Sequence, residues 1–241
     1  MNTVAQAFRD RLSSELQKQQ ESNGVLADFI RELDTIDCAT SQTLSPLPIP
    51  QTVVQHLDAA LDAMGCAPEL AETIRPLAQD VSWYQLFEGE GIEENLARGR
   101  VAGQLAGQVG LVSADTIRAG LFLLAPGLHY PLHQHGALEL YYVVSGRLTL
   151  QYGTQNQPFH VEAGNWSVTP SNTVHALTTP ETPCLVIYAW IGEVESPNWW
   201  WVRRDDGGWD RVCWERQPDA KWIQTRREPV TQAVLEAAGE G

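Results

Sequence analysis

The chain has 241 residues, of which 43% are hydrophobic and 19% charged, and its formal net charge is −14. That length and composition fit one folded domain with room for a helical extension, and exclude a disordered chain. The acidic balance excludes nucleic acid as a partner, because phosphate binding runs on Lys and Arg, and disfavours anionic membrane surfaces.

Residues 1–85 read as a helical region. AQAFRDRLSSELQKQ and VLADFIRELDTI carry apolar residues at spacings of three and four. TLSPLPIP, with three prolines in eight residues, predicts a bend or linker. VVQHLDAALDAM and APELAETIRPLAQD predict two more helices, with Pro68 suited to a first helical turn. The start, MNTVAQAFRDRL, lacks the apolar centre of a signal peptide, and no run of 18 apolar residues offers a membrane span. Cys38, Cys66, Cys184 and Cys213 are scattered and form no CxxC pair, so free thiols and a reducing cytoplasm are expected.

The character changes near Trp83. Residues 86–228 are expected to form a β-barrel. TIRAGLFLLAPG, ELYYVVSGRLTLQYG, PFHVEAGNWSVTPS and CLVIYAWIG read as strands separated by turns. NWWWVRRDDGGWDRVCWERQPDAKW holds six of the nine tryptophans and predicts further strands around a GG turn, closing one side of the β region. Its NWWW tryptophans read as packing or intersubunit surface. Residues 229–241 read as a tail or frayed helix.

The candidate site lies in HYPLHQHGALELYY, residues 129–142, which holds three of the six histidines. Alternate strand residues share a face. His133 and His135 therefore face one way together, as do Glu139 and Tyr141, while Tyr142 faces the opposite way. Parity is not carried across Gly136 and Ala137, where a turn is possible. His175 follows at a distance. Imidazoles with one carboxylate form a ligand set for a divalent transition metal such as Fe2+, Mn2+ or Zn2+, with a position left open for substrate. His129 and His160 read as exposed or structural, and His56 as a helix residue outside any ligand set.

The spacing resembles the two cupin motifs. Gly127, His133, His135, Glu139 and Gly146 meet every interval of the first. Gly164, Pro170 and His175 meet the second, with Asn172 in place of a glycine and Thr179 in place of an asparagine. The resemblance implies a mainly β fold, a double-stranded β-helix or jelly-roll barrel with an α-helical N-terminal region, and metal ligation by His133, His135, Glu139 and His175. Cupins often pair, so a homodimer is expected. HYPLHQHGALELYYVVSG, PSNTVHALTT and LVIYAWIG, after a helical region, further resemble the DddL-type dimethylsulfoniopropionate lyases. That resemblance implies a zwitterionic small-molecule substrate cleaved to acrylate and dimethyl sulfide by β-elimination, with the substrate carboxylate on the metal and Tyr141 as general base. A sulfonium has no N–H donor and is hosted by aromatic faces. Tyr130, Tyr188 and Trp190 are the candidate wall. An iron-dependent cupin dioxygenase or a non-catalytic metal- or ligand-sensing cupin would use the same ligand set.

Overall fold

A computed structural model describes residues 2–20, 24–43, 47–217 and 221–239. Residues 44–46 of the expected proline linker, 218–220 of the Trp-rich stretch and the last two of the tail lie outside this range.

Four helices come first: α1 (Thr3–Gln19), α2 (Leu26–Asp34), α3 (Gln51–Asp62) and α4 (Pro68–Asp80). Pro68 opens α4, where its missing N–H costs nothing. Strands follow: β1 (Trp83–Gln85), then a short α5 (Glu94–Gly99), β2 (Arg100–Ala106), β3 (Ile117–Leu124), β4 (His129–Gln134), β5 (Ala137–Ser145) and β6 (Arg147–Tyr152). The chain continues through β7 (Phe159–Glu162), β8 (Trp166–Thr169), β9 (His175–Thr178), β10 (Cys184–Gly192), β11 (Asn198–Arg203), β12 (Trp209–Arg216) and β13 (Trp222–Pro229), and α6 (Gln232–Ala237) follows.

The strands form two antiparallel sheets. One has the order β1-β2-β3-β10-β5-β8, the other β13-β12-β11-β4-β9-β6-β7. The second sheet contains the Trp-rich strands, with β11 and β12 joined through a turn at Gly207 and Gly208. The sheets face each other around an apolar interior containing Phe87, Phe122, Tyr130, Tyr141, Val186, Tyr188, Trp200 and Trp214. The first sheet is buried on its other face too, beneath the helices. Phe8, Leu12, Leu16, Phe29, Leu33, Ile74 and Leu77 share one core with Leu140, Tyr142, Val144, Leu185, Ile187 and Ala189.

This double burial explains why β5 and β10 read as continuous apolar runs. Along β10, Val186 and Tyr188 face the interior, with Trp190 packed against the same cluster, while Leu185, Ile187, Ala189 and Ile191 face the helices. Along β5, Tyr141 and Val143 point inward while Leu140, Tyr142 and Val144 point outward. The hydroxyl of Tyr142 reaches Oε1 of Glu15 in α1 at 3.5 Å.

All four cysteines are free, as their spacing predicts. No described helix is long and apolar enough to cross a membrane.

Candidate metal centre and the cavity beside it

His133 stands on β4 directly across from His175 on β9. The ladder between β4 and β9 is irregular between Tyr130 and His133. That irregularity lets two residues at odd spacing both face inward, and the Tyr130 ring stacks on His133 at 3.7 Å between centroids. His135 lies just past the end of β4, and Glu139 lies on β5 across from Trp190. The ladders therefore bring the four donors together from both sheets.

The ligand nitrogens of His133, His135 and His175 lie within 4.8 Å of one another, and all three side chains are buried. Oε2 of Glu139 is 3.3 Å from Nε2 of His135 and 3.2 Å from Nε2 of His175. Each imidazole also turns Nδ1 to a nearby carbonyl: His133 to Pro131 at 2.8 Å, His135 to Ala137 at 3.2 Å and His175 to Thr173 at 2.9 Å. A carbonyl only accepts, so Nδ1 carries the hydrogen and Nε2 presents its lone pair. Nε2 of His135, Nε2 of His175 and Oε2 of Glu139 are buried without a hydrogen-bond partner. Lone pairs facing one another in a dry site fit a bound cation.

The electrostatics favour the same occupant. Burial, the neighbouring histidines and Arg100 hold His133 well below the usual imidazole range. Burial also lowers His175, against the opposing pull of Glu139. Burial alone would raise Glu139, but its close contacts with His135 and His175 hold it well below the usual carboxylate range. The neutral form favoured at His133 and His175 and the ionised form favoured at Glu139 are the protonation states a metal requires.

Both departures from the cupin spacing have a structural account. Asn172 adopts a left-handed conformation, φ 62°, the conformation for which a glycine would stand there. Its backbone N–H donates to the carbonyl of His135 at 2.8 Å, tying the loop to the donor cluster. The Thr179 hydroxyl accepts from the Leu128 N–H at 3.0 Å and donates to the Ala125 carbonyl at 2.6 Å, bracing the turn before β4.

Tyr141 is buried on the same strand face as Glu139, with Tyr188 and Ser167 as its cross-strand neighbours. Arg100 donates to its hydroxyl at 3.0 Å. Burial pushes the phenol well above its ordinary range; the Arg100 charge opposes that shift and Glu139 adds to it. Arg100 is absent from the residues the sequence singles out. Arg100, Ala102 and Gln104 alternate with the helix-facing Val101 and Leu105, which puts them on the barrel side.

A cavity of about 700 Å³ lies on the far side of Trp190 from this centre, and the four donors and Tyr141 are not among its lining residues. Tyr188 and Trp190 line it, together with Phe87, Phe122, Gln104 and Trp214. Tyr130 is not among its lining residues; it is buried between His133 and Phe87. Trp190 links cavity and donors, because its ring also stacks on His135 at 4.4 Å. Tyr188 stacks on Phe122 at 3.8 Å and 5°. His129 and His160 are exposed, and the NWWW tryptophans do not line the cavity.

A two-sheet antiparallel barrel with imidazoles and a carboxylate gathered on its inner surface is a cupin. The particular family follows from comparison with known proteins. The dimethylsulfoniopropionate lyase family profile matches residues 8–186, and the chain belongs to that family. It is 25% identical to dimethylsulfoniopropionate lyase DddQ of Ruegeria pomeroyi over 197 residues, 81% of this chain and 94% of the relative. It is 28% identical over 155 residues to a putative dimethylsulfoniopropionate lyase DddL of Cereibacter sphaeroides, covering 63% of this chain and 64% of the relative. The crystal structure of the Ruegeria pomeroyi DddQ lyase matches with a TM-score of 0.61 at 21% identity, over 79% of this chain and 94% of that one, which shows the shared fold. The enzymes for which the family is named are carbon–sulfur lyases.

Proposed function

We propose that this chain cleaves dimethylsulfoniopropionate to acrylate and dimethyl sulfide by β-elimination. The observation that carries the mechanism is the buried Tyr141 phenol on the same strand face as Glu139, beside the clustered donors. His133, His135, Glu139 and His175 would hold a divalent transition metal; Fe2+, Mn2+ and Zn2+ all suit such a set. When bound there, a divalent cation supplies the positive charge that acidifies the carbon next to a substrate carboxylate and favours the phenolate.

The remaining work belongs to side chains. Tyr141, as phenolate, takes the proton from the carbon next to the carboxylate. The C–H electron pair becomes the new carbon–carbon double bond, the β-carbon–sulfur bond breaks, and dimethyl sulfide leaves neutral. Arg100 keeps the Tyr141 oxygen in place through its hydrogen bond. Tyr188 and Trp190 contribute aromatic rings to the cavity wall. The faces of such rings attract a desolvated sulfonium by about 1–2 kcal/mol.

The test is headspace chromatography of dimethyl sulfide from metal-loaded protein given dimethylsulfoniopropionate without oxygen, beside Tyr141→Phe. Wild-type release is expected, with a loss of about 10²–10⁴-fold in the variant at unchanged metal content. Release only in the presence of oxygen, or none, would replace the lyase reading. Equal release by the variant would remove Tyr141 from the mechanism.

A further inference from the structure

Strands place His133 on β4, Glu139 on β5 and His175 on β9. His135 has no such support. It lies with Gly136 between the end of β4 and the start of β5. The Ala137 carbonyl and the Trp190 ring set the tilt of its imidazole. They do not set its backbone, and a donor on a loose backbone would not hold its place among the other three.

The peptide unit that follows His135 is clamped from both sides. Its carbonyl accepts from the Asn172 N–H at 2.8 Å. Its N–H, that of Gly136, donates to the Ser196 hydroxyl oxygen at 2.7 Å. A peptide unit is planar, so bonds at its two ends fix its orientation, and with it the direction in which His135 carries its ring. Gly136 lets the clamp close, because a Cβ there would collide with the Glu193 carboxylate and the Ser196 hydroxyl.

Ser196 sits in the crossover 193–197, which takes the chain from β10 in the first sheet to β11 in the second. The crossover is itself tied down. The Ser196 N–H donates to the Glu193 carbonyl at 3.1 Å, and the Glu195 carboxylate pairs with Arg118 and accepts from Gln108 at 3.3 Å. Arg118 also donates to the Ala114 carbonyl at 2.6 Å, which holds its guanidinium in place. Val194, Glu195, Ser196 and Pro197 line the cavity, so the cavity wall and a donor share one support.

We infer that Ser196 is a positioning residue for the metal centre, setting the His135 imidazole through the Gly136 N–H. It acts through another residue, as the outer partners of metal ligands do. The inference rests on the donor set holding a divalent metal and is independent of the reaction.

The test loads the chelated full-length protein with Co2+, whose visible absorption reports the geometry of its ligands. Affinity by chelator competition and the visible spectrum are measured for wild type, Ser196→Ala and Ser196→Cys, whose thiol is a weaker acceptor. Ser196→Ala is expected to bind Co2+ about tenfold or more weakly and to shift the visible bands, and Ser196→Cys to change both by less. A merely structural role would lower the melting temperature and leave affinity and spectrum at wild-type values, which would overturn the inference. If Ser196→Ala does not fold, Ser196→Cys decides: a weakened affinity with shifted bands supports the role, and wild-type values refute it. A wild type that binds no Co2+ would refute the donor set itself, and this role with it.

Discussion

The indole N–H of Trp190 donates to Oε1 of Glu139 at 2.5 Å, across the β5–β10 ladder, while the same ring lies on His135. One side chain thus fixes the carboxylate, leaving Oε2 to face the imidazoles, and also borders the cavity. Outer partners of this kind typically change metal affinity 10–100-fold. Trp190→Phe keeps a ring and removes the donor. Its metal affinity, measured by chelator competition, is expected to fall by about that range. Wild-type affinity in the variant would show that the indole does not orient Glu139.

The metal-free protein should lose stability as pH falls from about 7 to 5. His133 and His175 are held below the ordinary imidazole value in the folded state, chiefly by burial. Below about pH 6.5 the unfolded chain therefore binds protons that the folded chain refuses, and stability declines by up to about 1.4 kcal/mol per pH unit for each histidine. Glu139, held well below its ordinary value, contributes stability that is lost only further into acid. Urea titrations of chelated protein at several pH values check this. A midpoint constant between pH 7 and 5 would contradict neutral buried imidazoles.

Leu12 on α1 is fully buried in the core that the helices share with the first sheet. Leu12→Ala is expected to cost about 2–5 kcal/mol. Because that core is continuous, far-ultraviolet and tryptophan signals should shift together on urea denaturation. A helical signal that melts ahead of tryptophan fluorescence would mean that the helices and barrel fold separately.

Gly146 and Asn172 both hold positive φ, and they should respond differently to substitution. At Gly146, φ is 74° and an added Cβ would lie 2.4 Å from the Pro183 carbonyl oxygen. Gly146→Ala is expected to destabilise by about 1–3 kcal/mol. Asn172→Gly removes only a side chain from a conformation that glycine also adopts, so its melting temperature should stay within a few degrees of wild type. A large loss there would assign the Asn172 side chain a role of its own.

The donor set is legible in sequence because its spacing is local: three of its four members lie within seven residues, and the period of a strand says which share a face. Tyr141 and Tyr142 separate onto opposite faces for the same reason. Arg100 escapes a sequence reading because an isolated arginine ordinarily reads as solvated. Only the pairing of β2 with β3, and β3 with β10, shows that its side of the strand is interior. Tyr130 is hard to place because the β4–β9 irregularity breaks simple alternation. The cavity wall is not legible at all, since Phe87, Phe122, Tyr188 and Trp214 meet only through long-range strand order. The amphipathic character of the helices shows in sequence, but which sheet face they cover does not.

Tyr141 and Tyr142 are consecutive, chemically alike and serve different halves of the molecule. The first faces the donors and Arg100; the second reaches Glu15 beneath the helices. Inserting or deleting one residue in β5 upstream of this pair would exchange their directions, taking the proposed base out of the barrel and the helix contact into it. Variation in β5 should therefore proceed by replacement, with changes in length confined to its flanking turns.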